Sequence, residues 1–147
     1  MFKKSLFLGL TSGVLAGVAG IIFEKVYANA FYTDFSGVTA TFFGGSLAVK
    51  ASPLTIMLAS IISGVLASIF FTLFVKWFKS KGDAIFSLLY AFVSFASIVL
   101  PLSATLPLDL DEYAMLLFPS FAMTLHFFPV LVWLTIKPLF FPTKVQY

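Results

Sequence analysis

His126 is the only histidine of the chain and lies in an apolar run from Tyr113 to Ile136 that carries no other titratable side chain after its first residue. An imidazole at such depth could relay protons or ligate a metal ion. The alternative is a neutral ring, hydrogen-bonded to a hydroxyl of a neighbouring helix. We expect the hydrogen-bonded ring, and His126 and Ser94 are candidate binding residues. Hydroxyls at comparable depth belong to Ser63, Tyr90, Ser94 and Ser97.

Two acids, Glu24 and Asp34, are the other candidate binding residues. Glu24 ends the first apolar run, and Asp34 lies in the segment that follows. Asp109, Asp111 and Glu112 fall on the same side of the predicted membrane. Such a group could attract a cation or the basic tail of a partner. The alternative, which we expect, is a solvated loop that obeys the charge rule for membrane topology.

The sequence carries no recognisable enzyme signature. It lacks cysteine, a phosphate-binding glycine loop, a serine elbow, an HExxH pair and paired carboxylates within an apolar run. A single histidine without a second ligand at its depth makes a poor metal site. The sequence therefore predicts no catalysis, no metal and no other cofactor.

Composition places most of the chain in lipid. Of its 147 residues, 61% are hydrophobic and 10% are charged, whereas a soluble domain has about 45–50% apolar and about 25% charged residues. Too few charges remain to cover a surface that faces water. The net charge of +3 comes from dispersed lysines, which can reach lipid head groups beside the apolar runs. We therefore predict a lipid bilayer as the surroundings and no nucleic-acid partner.

Four apolar runs define the predicted fold, at about residues 5–23, 51–78, 84–105 and 113–136. About 20 helical residues cross a hydrocarbon core of about 30 Å, and the third run is marginal because Pro101 interrupts it. Transmembrane strands are excluded, because the runs are continuously apolar rather than alternating. The prediction is an all-α membrane protein, with residues 1–147 forming a single domain folded as a four-helix transmembrane bundle.

The connections between the predicted helices are unequal. The loop 80–83 is short, which predicts an antiparallel hairpin of the second and third helices. The segment 24–50 is too long for a simple turn and is rich in aromatic residues and glycine. We expect this long segment between helices 1 and 2 to lie on the membrane interface or to re-enter the membrane.

Lysine placement predicts the orientation. With a cytoplasmic N-terminus, Lys25 and Lys50 fall outside and the other lysines fall inside, a bias that follows the positive-inside rule. We predict that both termini are cytoplasmic, as in a protein of the bacterial inner membrane. The lysines placed inside are Lys3, Lys4, Lys76, Lys79, Lys81, Lys137 and Lys144.

A cleaved signal peptide is the alternative for the first apolar run. Basic residues precede the run, and Ala28-Asn29-Ala30 resembles a cleavage site. However, the run is longer than a usual signal-peptide core, and Glu24-Lys25 interrupts the approach to the site. We expect a retained helix; cleavage would leave three spans with unchanged orientation.

Small residues recur at four-residue spacing in the first two helices. Gly9, Gly13 and Gly17 share one face of the first helix, and Ser60, Gly64 and Ser68 share one face of the second. Such grooves let helix backbones approach closely in lipid. We expect the two faces to pack together as a glycine-zipper contact; a seam between copies of the chain is the alternative.

Three functions remain compatible with these patterns. The first is a non-catalytic accessory or scaffold component of a membrane complex, in contact with a membrane-protein partner or with further copies of itself. The second is an oligomeric transporter or channel subunit for ions or small solutes, with a path near His126, Ser94 and Pro129. The third, an enzyme acting on lipid, is the weakest because the sequence offers no nucleophile with a base.

Overall fold

The computed structural model describes residues 1–142. Most of this part is helical, with one small β-hairpin and two short 3₁₀ turns at Phe43–Gly45 and Lys79–Lys81. The elements are α1 (Phe2–Phe31), β1 (Thr39–Phe42), β2 (Leu47–Lys50), α2 (Pro53–Phe78), α3 (Gly82–Ala96), α4 (Val99–Leu102) and α5 (Glu112–Phe140).

Three helical stretches are long and apolar enough to cross a membrane: Phe2–Phe31, Pro53–Leu102 and Glu112–Phe140. Large apolar side chains project outward from them, including Phe7 on α1, Leu88 on α3 and Leu131 on α5. Exposed apolar helix faces of this extent are stable in lipid rather than in water. The predicted helical class is confirmed, and the stretches indicate an integral membrane protein.

Helix α1 is longer than the predicted run 5–23. Glu24 and Lys25 lie within it, and it ends only at Tyr32, whose left-handed backbone has φ 51°. The helix continues because Tyr27, beyond the charged pair, packs its ring 5.6 Å from that of Phe121 on α5. Tertiary packing therefore outweighs the local stop signal that the two charges provide.

The segment after α1 forms an antiparallel hairpin of β1 and β2, in which Thr39 pairs with Lys50 and Phe42 with Leu47. Two backbone hydrogen bonds join Thr41 to Thr105, Thr41 N to Thr105 O at 2.9 Å and Thr105 N to Thr41 O at 2.8 Å. The predicted interfacial or re-entrant segment thus contains strands that the sequence did not indicate. Thr105 thereby pairs with Thr41 on the edge of β1 that faces away from β2 and holds the hairpin against the segment before α5.

Helices α2 and α3 form an antiparallel hairpin around the turn at Lys79, whose φ is 50°. The turn is tight: a Cβ atom on Gly82 would lie 2.6 Å from the Cα of Val75. The predicted third helix, 84–105, is divided, because α3 ends at Ala96 and α4 begins at Val99. Pro101 explains the break, since it has no N–H to donate to the Ser97 carbonyl and its ring crowds that carbonyl.

Helix α5 is a single helix that contains Pro119, Pro129 and Pro138. It continues beyond the predicted end at residue 136 and ends at Phe140. Its N-terminus is capped by Asp111, whose carboxylate accepts hydrogen bonds from two backbone N–H groups of the first turn, at 3.1 and 3.3 Å. Lys144, expected near the membrane interface, lies outside the described residues.

Helix α1 packs against α2 and α5, and two apolar clusters form where the bundle is tightest. One cluster, called the hairpin-side cluster, joins β1 and the residues just before it to the start of α5. The other, called the Trp133 cluster, joins α1, α2, α3 and α5 at the opposite end. The hairpin-side cluster consists of Phe35, Val38, Ala40, Ala114, Phe118 and Phe121. The Trp133 cluster consists of Leu8, Ala67, Phe71, Phe86 and Trp133.

Candidate ligand cavity beside His126

A partly enclosed cavity of about 420 Å³ is lined by all five helices and the hairpin. Its volume falls in the range of about 300–1,000 Å³ typical of small-molecule sites. Its walls are mostly apolar, and none of its lining residues is charged. The polar lining residues are Thr55, Ser60, Ser63, Tyr90, Ser94, Ser97 and His126.

The imidazole of His126 is held by its own helix. Nδ1 lies 2.7 Å from the carbonyl oxygen of Ala122, one turn earlier in α5. A carbonyl oxygen can only accept, so in the neutral ring the proton is on Nδ1 and Nε2 keeps a lone pair. Among the described residues the imidazole thus bonds to its own helix rather than, as the sequence had led us to expect, to a hydroxyl of another helix. His126 lines the cavity, and the Ala122 contact leaves Nε2 of the neutral ring free to accept.

Ser94 contacts the backbone of His126 rather than its ring. Its hydroxyl donates to the His126 carbonyl oxygen at 3.2 Å, and the hydroxyl of Ser97 donates to the Ser94 carbonyl at 2.7 Å. The sequence thus placed Ser94 beside His126, but the hydrogen bond joins helices α3 and α5 instead of orienting the imidazole.

A second hydroxyl pair bridges α2 and α3. Ser63 Oγ and Tyr90 Oη lie 3.4 Å apart, and both residues line the cavity. Each hydroxyl has one proton, so the pair uses one proton and leaves the other to donate. The cavity wall therefore contains a hydrogen-bond donor besides the His126 acceptor.

Pro129 adds a further acceptor. Because proline has no N–H, the Leu125 carbonyl lacks its usual intrahelical donor. Leu125 and Pro129 both line the cavity. The sequence predicted a cavity-forming role for Pro129 as one reading of its place beside His126, and the structure puts both residues on the same wall.

The two acidic candidates do not join His126. Glu24 is only 2% exposed, and its Oε2 has no hydrogen-bond partner within the described residues. It lies one turn beyond Gly20, which lines the cavity, but Glu24 does not line it. Asp34 is exposed and accepts a hydrogen bond from the backbone N–H of Ser36 at 2.8 Å. Neither acid therefore supplies a charge to the cavity.

The acids before α5 are exposed, and one of them, Asp111, has the structural role of helix cap described above. Among residues 1–142, no group of three His, Asp or Glu side chains is placed to hold a metal ion. The acidic loop thus stands apart from the cavity and from His126.

The glycine face of α1 lies directly against α2. A Cβ atom on Gly13 would come within 2.6 Å of the Ile61 Cα, and a Cβ on Gly17 within 3.1 Å of the Met57 Cα. Gly9 and Gly64 approach so closely that neither has room for a side chain. The small residues at these four positions therefore permit backbone-to-backbone contact between α1 and α2.

Sequence reasoning missed the polar contacts outside the cavity. Lys137 on α5 forms an ion pair with Asp83 at the start of α3 and donates to Ser87 at 3.0 Å. The Lys137 Nζ also lies 5.9 Å from the ring centroids of Phe71 and of Trp133. The sequence places opposite charges near the ends of the two helices, which could have indicated an ion pair. It does not specify which lysine pairs with Asp83.

The comparisons with known proteins add no relationship: no protein-family model, no curated protein and no solved structure matches the chain.

Proposed function

We propose that the chain crosses the membrane four times, with both termini in the cytoplasm of a bacterial cell and the hairpin of β1 and β2 outside. Helices α3 and α4 together run from Gly82 to Leu102, close to the about 20 residues that a span requires. The distribution of lysines supports this orientation, because Lys76, Lys79 and Lys81 cluster at the turn between α2 and α3.

Within that membrane, we propose that the protein is a non-catalytic accessory or scaffold component of a larger complex. The observation that carries the proposal is an outward stripe on α3 and α4, formed by Leu88, Phe92, Phe95 and Val99. Within α3 the spacings of four and three residues are those of a helix-pairing seam, and Val99 follows after Ser97 and Ile98, whose backbone angles stay right-handed helical. All four side chains are exposed, Leu88 by 75% and Phe92 by 68%, and so are free to contact a partner helix.

Site-specific photocrosslinking in native membranes tests this proposal. A photoreactive residue at Phe92 should crosslink to a defined second protein, whereas the same residue at Phe7, which is 62% exposed on α1, serves as the control. Crosslinks at Phe92 to lipid alone would contradict the proposal. Crosslinks only to another copy of the chain would replace it with a homo-oligomer.

A transporter or channel subunit is the second candidate, favoured by the position of His126 at a cavity within the bundle. The apolar lining and the distance of the acids from His126 weigh against a path for ions. In vesicles reconstituted with the purified protein, this function requires solute flux that His126→Ala abolishes. Flux that is the same in vesicles with and without protein would exclude it.

A further inference from the structure

We propose that the cavity beside His126 binds an uncharged, lipid-soluble molecule with a single apolar chain and a hydroxyl group. This inference concerns a binding site and depends on neither the accessory nor the transport function. It follows from three independent features of the cavity: where it opens, which charges its lining lacks, and which hydrogen-bonding groups it offers.

The position of the opening points to lipid as the source of the ligand. Ala59 on α2 and Val93 on α3 line the cavity and are also exposed, Val93 by 51%. The opening therefore lies between these two helices. Ala59 is the seventh residue of α2, and Val93 lies within α3, so the opening faces the apolar part of the bundle. A molecule dissolved in the bilayer reaches it without crossing into water.

The lining selects against charge. Burying an unpaired ion in an apolar site is costly, and the cavity lining includes no charged side chain that could pair with one. A fatty acid carboxylate or a phospholipid head group would lose its hydration without compensation. The volume of about 420 Å³ is at the lower end of ligand-site sizes, which favours one chain over several.

The hydrogen-bonding groups favour a hydroxyl. In the neutral ring His126 Nε2 is an acceptor, because Nδ1 donates to the Ala122 carbonyl at 2.7 Å. The Ser63–Tyr90 pair keeps one hydroxyl proton to donate. An alcohol can donate its proton to the imidazole and accept from a hydroxyl, whereas an alkane leaves both groups of the wall unpaired. An unmade bond of this kind in an apolar site reduces affinity.

Photolabelling of the purified protein in detergent micelles tests the proposal. The probe is a straight-chain fatty alcohol with a diazirine in its chain, compared with the corresponding alkane and fatty acid with the same diazirine. We expect the alcohol to label peptides of α2, α3 and α5 that line the cavity more than the alkane does, by about two- to tenfold for each of its two hydrogen bonds. The fatty acid should label these peptides less than the alcohol.

Two variants locate the binding. His126→Leu removes one of the two hydrogen bonds and should reduce alcohol labelling by about two- to tenfold, whereas Thr135→Leu, on an exposed face of α5, should leave it unchanged. Ala59→Phe narrows the opening at an exposed position and should reduce labelling by both probes. Ala96→Phe, which is exposed on α3 and does not line the cavity, is its control.

Equal labelling by alcohol and alkane would overturn the role of His126, and labelling confined to outward faces would overturn the site itself. A thermal unfolding scan accompanies each variant. If His126→Leu does not fold, the wild-type protein still tests the proposal. The alcohol should raise the midpoint temperature of wild-type unfolding more than the alkane does. An equal rise would contradict the proposal.

Discussion

The indole Nε1 of Trp133 donates a hydrogen bond to the hydroxyl of Ser68 at 3.2 Å, and both residues are buried. The backbone carbonyl of the same serine accepts from the hydroxyl of Ser5 at 2.9 Å. Ser68 therefore joins three helices, α1 through Ser5, α2 through its own backbone and α5 through Trp133. Nothing in the spacing of these residues along the chain indicates this meeting point.

Removing the Ser68 hydroxyl should destabilise the bundle, because the Trp133 N–H would lose its partner. Hydrogen bonds between membrane helices contribute about 0.6 kcal/mol on average and up to about 1.7 kcal/mol. A double-mutant cycle of Ser68→Ala and Trp133→Phe, measured by unfolding in mixed micelles, should give a coupling energy in that range.

Trp77→Phe is the control for this cycle, since Trp77 is 66% exposed. Combined with Ser68→Ala, it should show additive effects. If the effects of Ser68→Ala and Trp133→Phe were also additive, the hydrogen bond between Ser68 and Trp133 would contribute nothing to stability in micelles.

The contact between α1 and α2 should not tolerate a large side chain at Gly13. A Cβ there would meet backbone atoms of Ile61, which cannot rotate away, so Gly13→Leu should cost about 1–3 kcal/mol or more of unfolding free energy. Val14→Leu places the same side chain one residue further along, on an exposed face, and should cost little. Equal stability of the two variants, measured by unfolding in mixed micelles, would contradict close packing at this position.

Replacing Glu24 with an apolar residue of similar length should stabilise the protein. Its Oε2 is buried without a partner in the described part of the chain, and a buried unsatisfied polar atom costs about 1–3 kcal/mol. Glu24→Met should raise the midpoint temperature of unfolding. Glu112→Met, at an exposed position in the first turn of α5, should instead lower it slightly through lost interaction with the helix dipole. A lower midpoint for Glu24→Met would mean that the carboxyl has a bound partner in the purified protein.

The ion pair of Lys137 and Asp83 should contribute little and respond to salt. The Asp83 side chain is 53% exposed, and exposed pairs contribute about 0.2–1 kcal/mol. Asp83→Asn should therefore lower stability by no more than that, and the difference from wild type should shrink at high salt. Asp109→Asn, at an exposed position outside this pair, should have no effect. A loss for Asp83→Asn that persists at high salt would contradict this and show that the pair is shielded from solvent on the side of Lys137, whose side chain is only 14% exposed.

The helical class was predictable because it depends only on long apolar runs, in which lipid forces each backbone to form its own hydrogen bonds. The β-hairpin was not predictable in this way. Its strands have four residues each, and the bonds that secure it come from Thr105, sixty-four residues from Thr41 along the chain. Local sequence contains no signal of that distant pairing.

The candidate site was predictable only in part. The sequence named His126 and Pro129 together only in the transporter alternative, from their positions within one helix, and both residues line the cavity. The hydrogen-bond partner of the imidazole was missed, because a rotamer that reaches the Ala122 carbonyl competes with any hydroxyl on another helix. Glu24 was expected at the end of the first helix, and its burial depends on how α1 packs once it continues past the charges.

The proposed four-span topology gives the last prediction, and the chain is well suited to test it because it contains no cysteine. Single cysteines at Lys81, in the turn between α2 and α3, and at Ser36, in the segment before β1, should react with a membrane-impermeant maleimide from opposite sides. Of these two variants, only Ser36→Cys should be labelled in intact cells, and Lys81→Cys should require permeabilisation. Asp109→Cys, between α4 and α5, decides whether α3 and α4 cross: labelling in intact cells supports a fourth span. If Asp109→Cys is labelled only after permeabilisation, α3 and α4 do not complete a crossing. The uneven distribution of lysines would then have to be explained by a topology with three spans.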